Sequence, residues 1–204
     1  MMSLTFYYSP HSSASPVHWT LNELGIPYEK VLIDIKAGDN KKPEFLKLNP
    51  NGKVPLIVHD GVAIFESAAI QIYLGETFGV EKGLYPPPGP QRVAAMMWII
   101  WCNASLGEAM SRFGRNLGPW APEDQRNAKA GEAAKVEILG LLQVLEDALK
   151  GRSYLCGDQI TIADLHLASW FDYVRMMQID LTPYPAITAW GSRCTSRPAY
   201  ANSP

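Results

Sequence analysis

Cysteine is scarce in this chain: three among 204 residues, at positions 102, 156 and 194, with none before position 102. Such spacing excludes a Cys-x-x-Cys redox pair and a cysteine-based metal cluster, and three thiols without an obvious pairing suit a reducing compartment. Charge is also thin. Only 19% of residues are Asp, Glu, Lys or Arg, and the net charge is -2. With a pI near 6.1, the chain has no strong field for nucleic acid or an anionic membrane, and neither partner is expected. Long apolar runs are missing as well. The longest, Val93 to Cys102, is about half the roughly 20 residues of a membrane span. The opening MMSLTFYYSPHSS has no basic start followed by an apolar core, so no secretory leader and a cytoplasmic location are expected.

Hydrophobic residues make up 47% of the chain, enough for a real core in one large or two small domains. SLTFYY, residues 3 to 8, is rich in β-formers and predicts a first strand. Ser15-Pro16 predicts a helix start, serine as N-cap and proline in the first helical position. Val17, Leu21 and Leu24 continue at helical spacing until Gly25 and Pro27 stop the helix. Residues 28 to 35 predict a second strand, 43 to 48 a short helix, and Asn49-Pro50-Asn51-Gly52 a dense turn. Residues 54 to 58 and 62 to 65 predict two strands joined at Asp60-Gly61, and 67 to 78 a helix. The order βαβα then ββα implies a mixed α/β domain over residues 1–78. Glycine and proline dominate 79–90, a linker, and no strand pattern follows. Helices over 91–116, 123–150, 162–178 and 185–195 make residues 91–204 an all-helical domain.

Two places carry chemistry. Pro55 heads a strand that should be buried; it either starts the strand, or forms a cis bond with Val54 that turns backbone groups toward a peptide-like ligand. Glu66-Ser67 sits where a strand meets a helix N-terminus, a setting that favours a carboxylate, with glutamate available for an ammonium group. The bland alternative there is a capped helix with an acidic first turn.

The stretch NPNGKVPLIVHDGVAIFESAAIQIYL, residues 49 to 74, resembles the glutathione-binding half of soluble glutathione transferases. YLCGDQITIADLHLASW, residues 154 to 170, resembles the helix-capping signature of the same family, with Thr161 and Asp164 as its capping box and Ile160 as staple. The resemblance spans nearly the whole chain. It implies a thioredoxin-like N-terminal domain, a helical C-terminal domain, a homodimer, and glutathione as co-substrate with no metal. Carried over, Val54 pairs its main chain with the cysteinyl part of glutathione beside cis-Pro55. Glu66 and Ser67 take the γ-glutamyl end, and Lys53 and Lys36 meet the glycyl carboxylate.

The thiol needs activation, because at a pKa near ~8.5 only a few per cent is thiolate at neutral pH. A hydroxyl donor beside a helix N-terminus would lower that value. In its spacing before His18 the first domain is closest to the bacterial beta class, and Ser13 then replaces that class's active-site cysteine. A zeta-like alignment shifted by one residue points to Ser12, and an unshifted one to His11. Ser13 and Ser12 lead, followed by His11 and then Tyr7 and Tyr8. The second substrate, a small hydrophobic electrophile, is expected between the domains against Met110, Arg112, Phe113, Arg115 and Tyr173, with Trp170 nearby. His18, His59 and His166 read as structural. Two rivals stand beside conjugation: a non-catalytic glutathione-binding regulator, and a glutathione-dependent disulfide reductase or peroxidase. A mechanism using a protein thiol is excluded, since the first cysteine is Cys102.

Overall fold

The structure, a computed structural model, describes residues 3–119 and 121–201, so the outer limits of the two expected domains lie outside it. The sheet follows the β-rich stretches. β1 (Leu4–Tyr8) is central and pairs in parallel with β2 (Glu29–Leu32) across the helix α1 (Ser15–Leu24). On its other side β1 pairs antiparallel with β3 (Leu56–His59), which pairs antiparallel with β4 (Val62–Phe65). The strand order is β2-β1-β3-β4. Helix α2 (Pro43–Leu48) packs Phe45 with Ile33, Val54 and Leu56 on one side of the sheet. Helix α3 (Ser67–Leu74) follows β4, and both α1 and α3 contribute to the larger core.

That larger core is shared with the helical part. Trp19 of α1 and Trp190 of α9 (Pro185–Thr195) are both wholly buried in it. A fork of two 2.7 Å bonds from Arg197 to Glu23 also clasps α1 to the C-terminal segment. The other helices are α4 (Pro90–Trp101), α5 (Glu108–Leu117), α6 (Ala128–Leu149), α7 (Ile162–Ala168), α8 (Phe171–Met176) and α10 (Pro198–Ala201). The thioredoxin-like domain followed by a helical domain is thus the architecture.

Several local expectations need correction. Ser15 is not an N-cap: Ala14 occupies that position without a side-chain bond, and Ser15 is the first helical residue. Ser12 instead holds the turn before the helix, its hydroxyl accepting the Ala14 N–H at 3.2 Å. The helix expected over 91–116 runs without a break from Pro90 to Leu117, but Cys102–Gly107 is wound as a π-helix. By length and composition this helix could cross a membrane; here its buried face, with Ile99, Cys102 and Met110, belongs to the shared core. The helix expected over 162–178 is two, because Ser169 donates its hydroxyl to the His166 carbonyl and the chain turns before α8. The helix expected from 123 starts at Ala128, where the Asn127 side chain caps the Ala130 N–H at 3.0 Å. The expected capping box is present: Asp164, fully buried, accepts from the Thr161 backbone and hydroxyl, and also from Leu155 and Trp190.

Candidate active site

The loop between β1 and α1 distributes its serines by geometry. His11 takes a positive φ of 54° at the loop tip, which is exposed. Ser12 is used locally, donating to the Ser9 carbonyl at 2.6 Å and accepting from Ala14. Ser13 reaches across the fold instead, donating at 3.2 Å to the carbonyl of Val54. The Val54–Pro55 peptide is cis. Its position is set by the preceding turn. Gly52, at φ +61°, packs where an added Cβ would stand 2.8 Å from the Asn40 carbonyl. Asn40 donates to the Gly52 carbonyl and Asn49 to that of Lys53, each at 2.7 Å, so the backbone entering the cis bond is held from both sides.

Opposite that turn, β4 runs into α3. Glu66 is the N-cap at φ 70°, ψ 118°, a strained backbone for a residue with a side chain, of the kind that clusters at ligand sites. Its carbonyl closes the first turn on Ile70. The N–H groups of that turn therefore point outward beside the buried Ser67, as a helix N-terminus does for an anion. A cavity of about 430 Å³ lies between these elements, walled by Ser13, Lys53, Val54, Pro55, Glu66 and Ser67. A second, of about 330 Å³, adjoins it under the aromatic rings of Trp19, Trp170, Tyr173 and Tyr200. Ser13, Ser67, Ser111 and Trp170 line both.

Behind Ser67 runs a chain of side-chain bonds. Asn103 donates from Nδ2 to Ser67 Oγ at 2.9 Å. His166 Nε2 meets Asn103 Oδ1 at 2.7 Å, and His166 Nδ1 meets Gln71 Nε2 at 3.4 Å. His166 is fully buried, and loss of hydration pushes its pKa down to about 3, so the ring is neutral.

The sequence matches two family models, "Glutathione S-transferase, N-terminal domain" over residues 2–76 and "Glutathione S-transferase, C-terminal domain" over residues 103–198. It is 31% identical over 203 residues to the Disulfide-bond oxidoreductase YfcG of Escherichia coli K12, covering 96% of this chain and 92% of that protein. The chain belongs to the glutathione S-transferase family.

Among solved glutathione transferases, URE2P8 of Phanerochaete chrysosporium, with oxidised glutathione, superposes at a TM-score of 0.90 with 27% identity. That match covers all of this chain and 94% of the other. A glutathione transferase of Burkholderia graminis, with two glutathione molecules per subunit, superposes at 0.87 with 28% identity, covering 98% and 87%. Glutathione is the co-substrate held by these transferase structures.

Within this member of the family the expected residues divide. Lys53, Val54, Pro55, Glu66 and Ser67 come together around one cavity, with Ser13 at its seam. Lys36 lines neither cavity; it sits in the exposed Asp34 turn, its own N–H donated to Asp34. On α5, Arg115 lines the first cavity, but Met110 and Phe113 line neither. Both are buried in the core, and Arg112 is engaged by Glu108 and Glu137. The face of that helix toward the site carries Glu108, Ser111 and Arg115 instead, one helical step around from the apolar stripe, with Gly107 just before it. Tyr173, with Trp170 beside it, lines the aromatic cavity, as do Ser12 and His11. Sequence reasoning missed Trp19, Ser111, Met176, Tyr200 and Asn103, and read His166 as structural only. Trp19 had a usable signal, lying one turn into the helix that starts at the loop. Tyr200 had none, since its place depends on the chain folding back to bond Asp172.

Proposed function

We propose that this chain is a glutathione-dependent enzyme that holds glutathione as its thiolate and passes the sulfur to a molecule in the adjoining aromatic cavity. The observation that carries this reading is Ser13: its hydroxyl faces both cavities and is bonded to the carbonyl of Val54. The cysteinyl N–H of glutathione takes that carbonyl, displacing Ser13 as its donor. The freed hydroxyl turns to the sulfur, beside the N-terminus of α1, and both favour the thiolate. Lys53 faces the glycyl carboxylate, while Glu66 and Ser67 take the γ-glutamyl ammonium and carboxylate. Ser12 and His11 are bystanders to the thiol.

The electrophile we favour is a disulfide. The glutathione thiolate attacks one sulfur, the other leaves as a thiolate, and a mixed disulfide forms. A second glutathione attacks the mixed disulfide and releases the second thiol, so two glutathiones supply two electrons and leave as oxidised glutathione. Two cavities meeting at Ser13 suit this sequence, and the YfcG relative bears the name of such an activity. Conjugation to a small aromatic or halogenated electrophile is the second reading, supported by the ring-lined wall of Trp19, Trp170, Tyr173 and Tyr200. Turnover of hydroxyethyl disulfide and of an aryl halide, each with glutathione, separates the two. Activity on neither would leave a glutathione-binding regulator.

A homodimer and a cytoplasmic location belong to the same proposal. Val93, Met97 and Ile100 form an exposed apolar stripe on α4, and Val62 is exposed on the edge strand β4. Three free cysteines accord with a reducing compartment.

A further inference from the structure

The chain Gln71–His166–Asn103–Ser67 joins the two halves of the molecule behind the first cavity. Ser67 and Gln71 lie on α3, Asn103 on the π-helical segment, and His166 on α7. Each link constrains the next. A hydroxyl has one hydrogen, and the Ser67 oxygen already accepts from Asn103 Nδ2. Asn103 thereby turns its Oδ1 to His166, whose Nε2 must carry the proton. The neutral ring then has Nδ1 free to accept from Gln71 Nε2. Each of these bonds is donated in the direction of Ser67, so the one hydrogen of its hydroxyl is left to be donated into the cavity.

We infer that Asn103 and His166 are positioning residues that fix the Ser67 hydroxyl as a donor toward a ligand carboxylate in the first cavity. The π-helical winding supports a functional purpose, since such segments occur often at sites and here one carries Asn103 between α3 and α7. α7 is itself anchored by the buried Asp164 bonds, which hold His166 in place. The inference rests on the glutathione reading above and assigns the γ-glutamyl carboxylate as the group received.

The test compares glutathione with its analogue lacking that carboxylate, γ-aminobutyryl-cysteinyl-glycine, by calorimetry on the full chain. Asn103→Asp still accepts from His166 but no longer donates to Ser67, whose hydrogen then turns inward. Glutathione binding should weaken about tenfold or more, while the analogue's affinity barely changes. In a Ser67→Ala background the same substitution should have little further effect. Equal weakening of both ligands, or an undiminished effect without the Ser67 hydroxyl, would overturn the inference; the latter would mean simple charge repulsion. The wild-type protein supplies a reading independent of any variant's folding. Long-range proton–nitrogen NMR on the glutathione complex, with His166 assigned by its loss in His166→Gln, should show the Nε2–H tautomer, and the Nδ1–H tautomer would overturn the inference. Wild-type protein that binds no glutathione would overturn the functional reading and this inference together; binding without discrimination would overturn the inference alone.

Discussion

Ser13→Ala separates the two leading hydroxyls. Ser13 has one hydrogen, given across 3.2 Å to the carbonyl of Val54, which lines a cavity where water can replace the hydroxyl, so the folded state should lose less than about 1 kcal/mol. The loss in the glutathione complex is larger, because there the hydroxyl serves a charged sulfur. A hydrogen bond to a charged group is worth about 1.5–3 kcal/mol, and one pKa unit is about 1.4 kcal/mol. The side chain is exposed, which favours the lower end. Removing the donor disfavours the thiolate, so the bound thiol's pKa should rise by about one unit. Turnover at neutral pH should fall by up to about tenfold and recover as pH is raised past the new pKa. Ultraviolet thiolate absorbance against pH, with glutathione saturating, measures the shift directly. Ser12→Ala makes the contrast. It strips the Ser9 carbonyl and the Ala14 N–H of a shared partner, costing about 1 kcal/mol of stability and leaving the thiol's pKa where it was. The opposite pattern, with Ser12→Ala shifting the thiol and Ser13→Ala leaving it, would take the thiol away from Ser13 and give it to Ser12.

Asp164→Ala should be among the most damaging substitutions, because it leaves the Leu155, Thr161 and Trp190 donors unpaired in a buried site. A loss of about 3–5 kcal/mol in urea unfolding is expected, and a loss under 1 kcal/mol would contradict it. Burial holds both His18 and His166 neutral, at pKa values near 4 and 3. The unfolded chain binds protons at these histidines near pH 6.5, so stability should fall as pH drops from there toward 4, by up to about 1.4 kcal/mol per pH unit for each. Urea midpoints across that range check the slope, and His166→Gln should flatten it by about one proton; an unchanged slope would count against the assignment. Met97→Glu, in the exposed α4 stripe with Val93 and Ile100, should convert a dimer to a monomer in sedimentation, unlike Lys129→Glu on α6.

What the sequence disclosed follows the range of the interactions. The Asn49–Gly52 turn and the Thr161–Asp164 box are built from neighbours, and their residues announce them; β1 announces itself by its run of β-formers, although its partners lie far along the chain. Glu66-Ser67 was legible because the strand-to-helix junction is local, although its strained φ was not. The second cavity was harder. Met110 and Phe113 lie on an apolar stripe that reads as a wall, and the core uses that stripe first. The π-helical segment turns the later part of the helix, so no uniform helical period could show which face meets the cavity. Ser12 and Ser13 could not be told apart by spacing. The bond that separates them joins residues 41 apart in sequence. His166 likewise looked like any core histidine, because its partners come from α3 and the π-helical segment.

Calorimetric titration of the unmodified chain with glutathione at neutral pH, repeated in buffers of different ionisation heat, shows whether the protein holds glutathione as its thiolate. Saturable binding at millimolar concentration or below is expected, with protons released as the thiol ionises beside Ser13. No binding at millimolar glutathione, or binding without proton release, would contradict it.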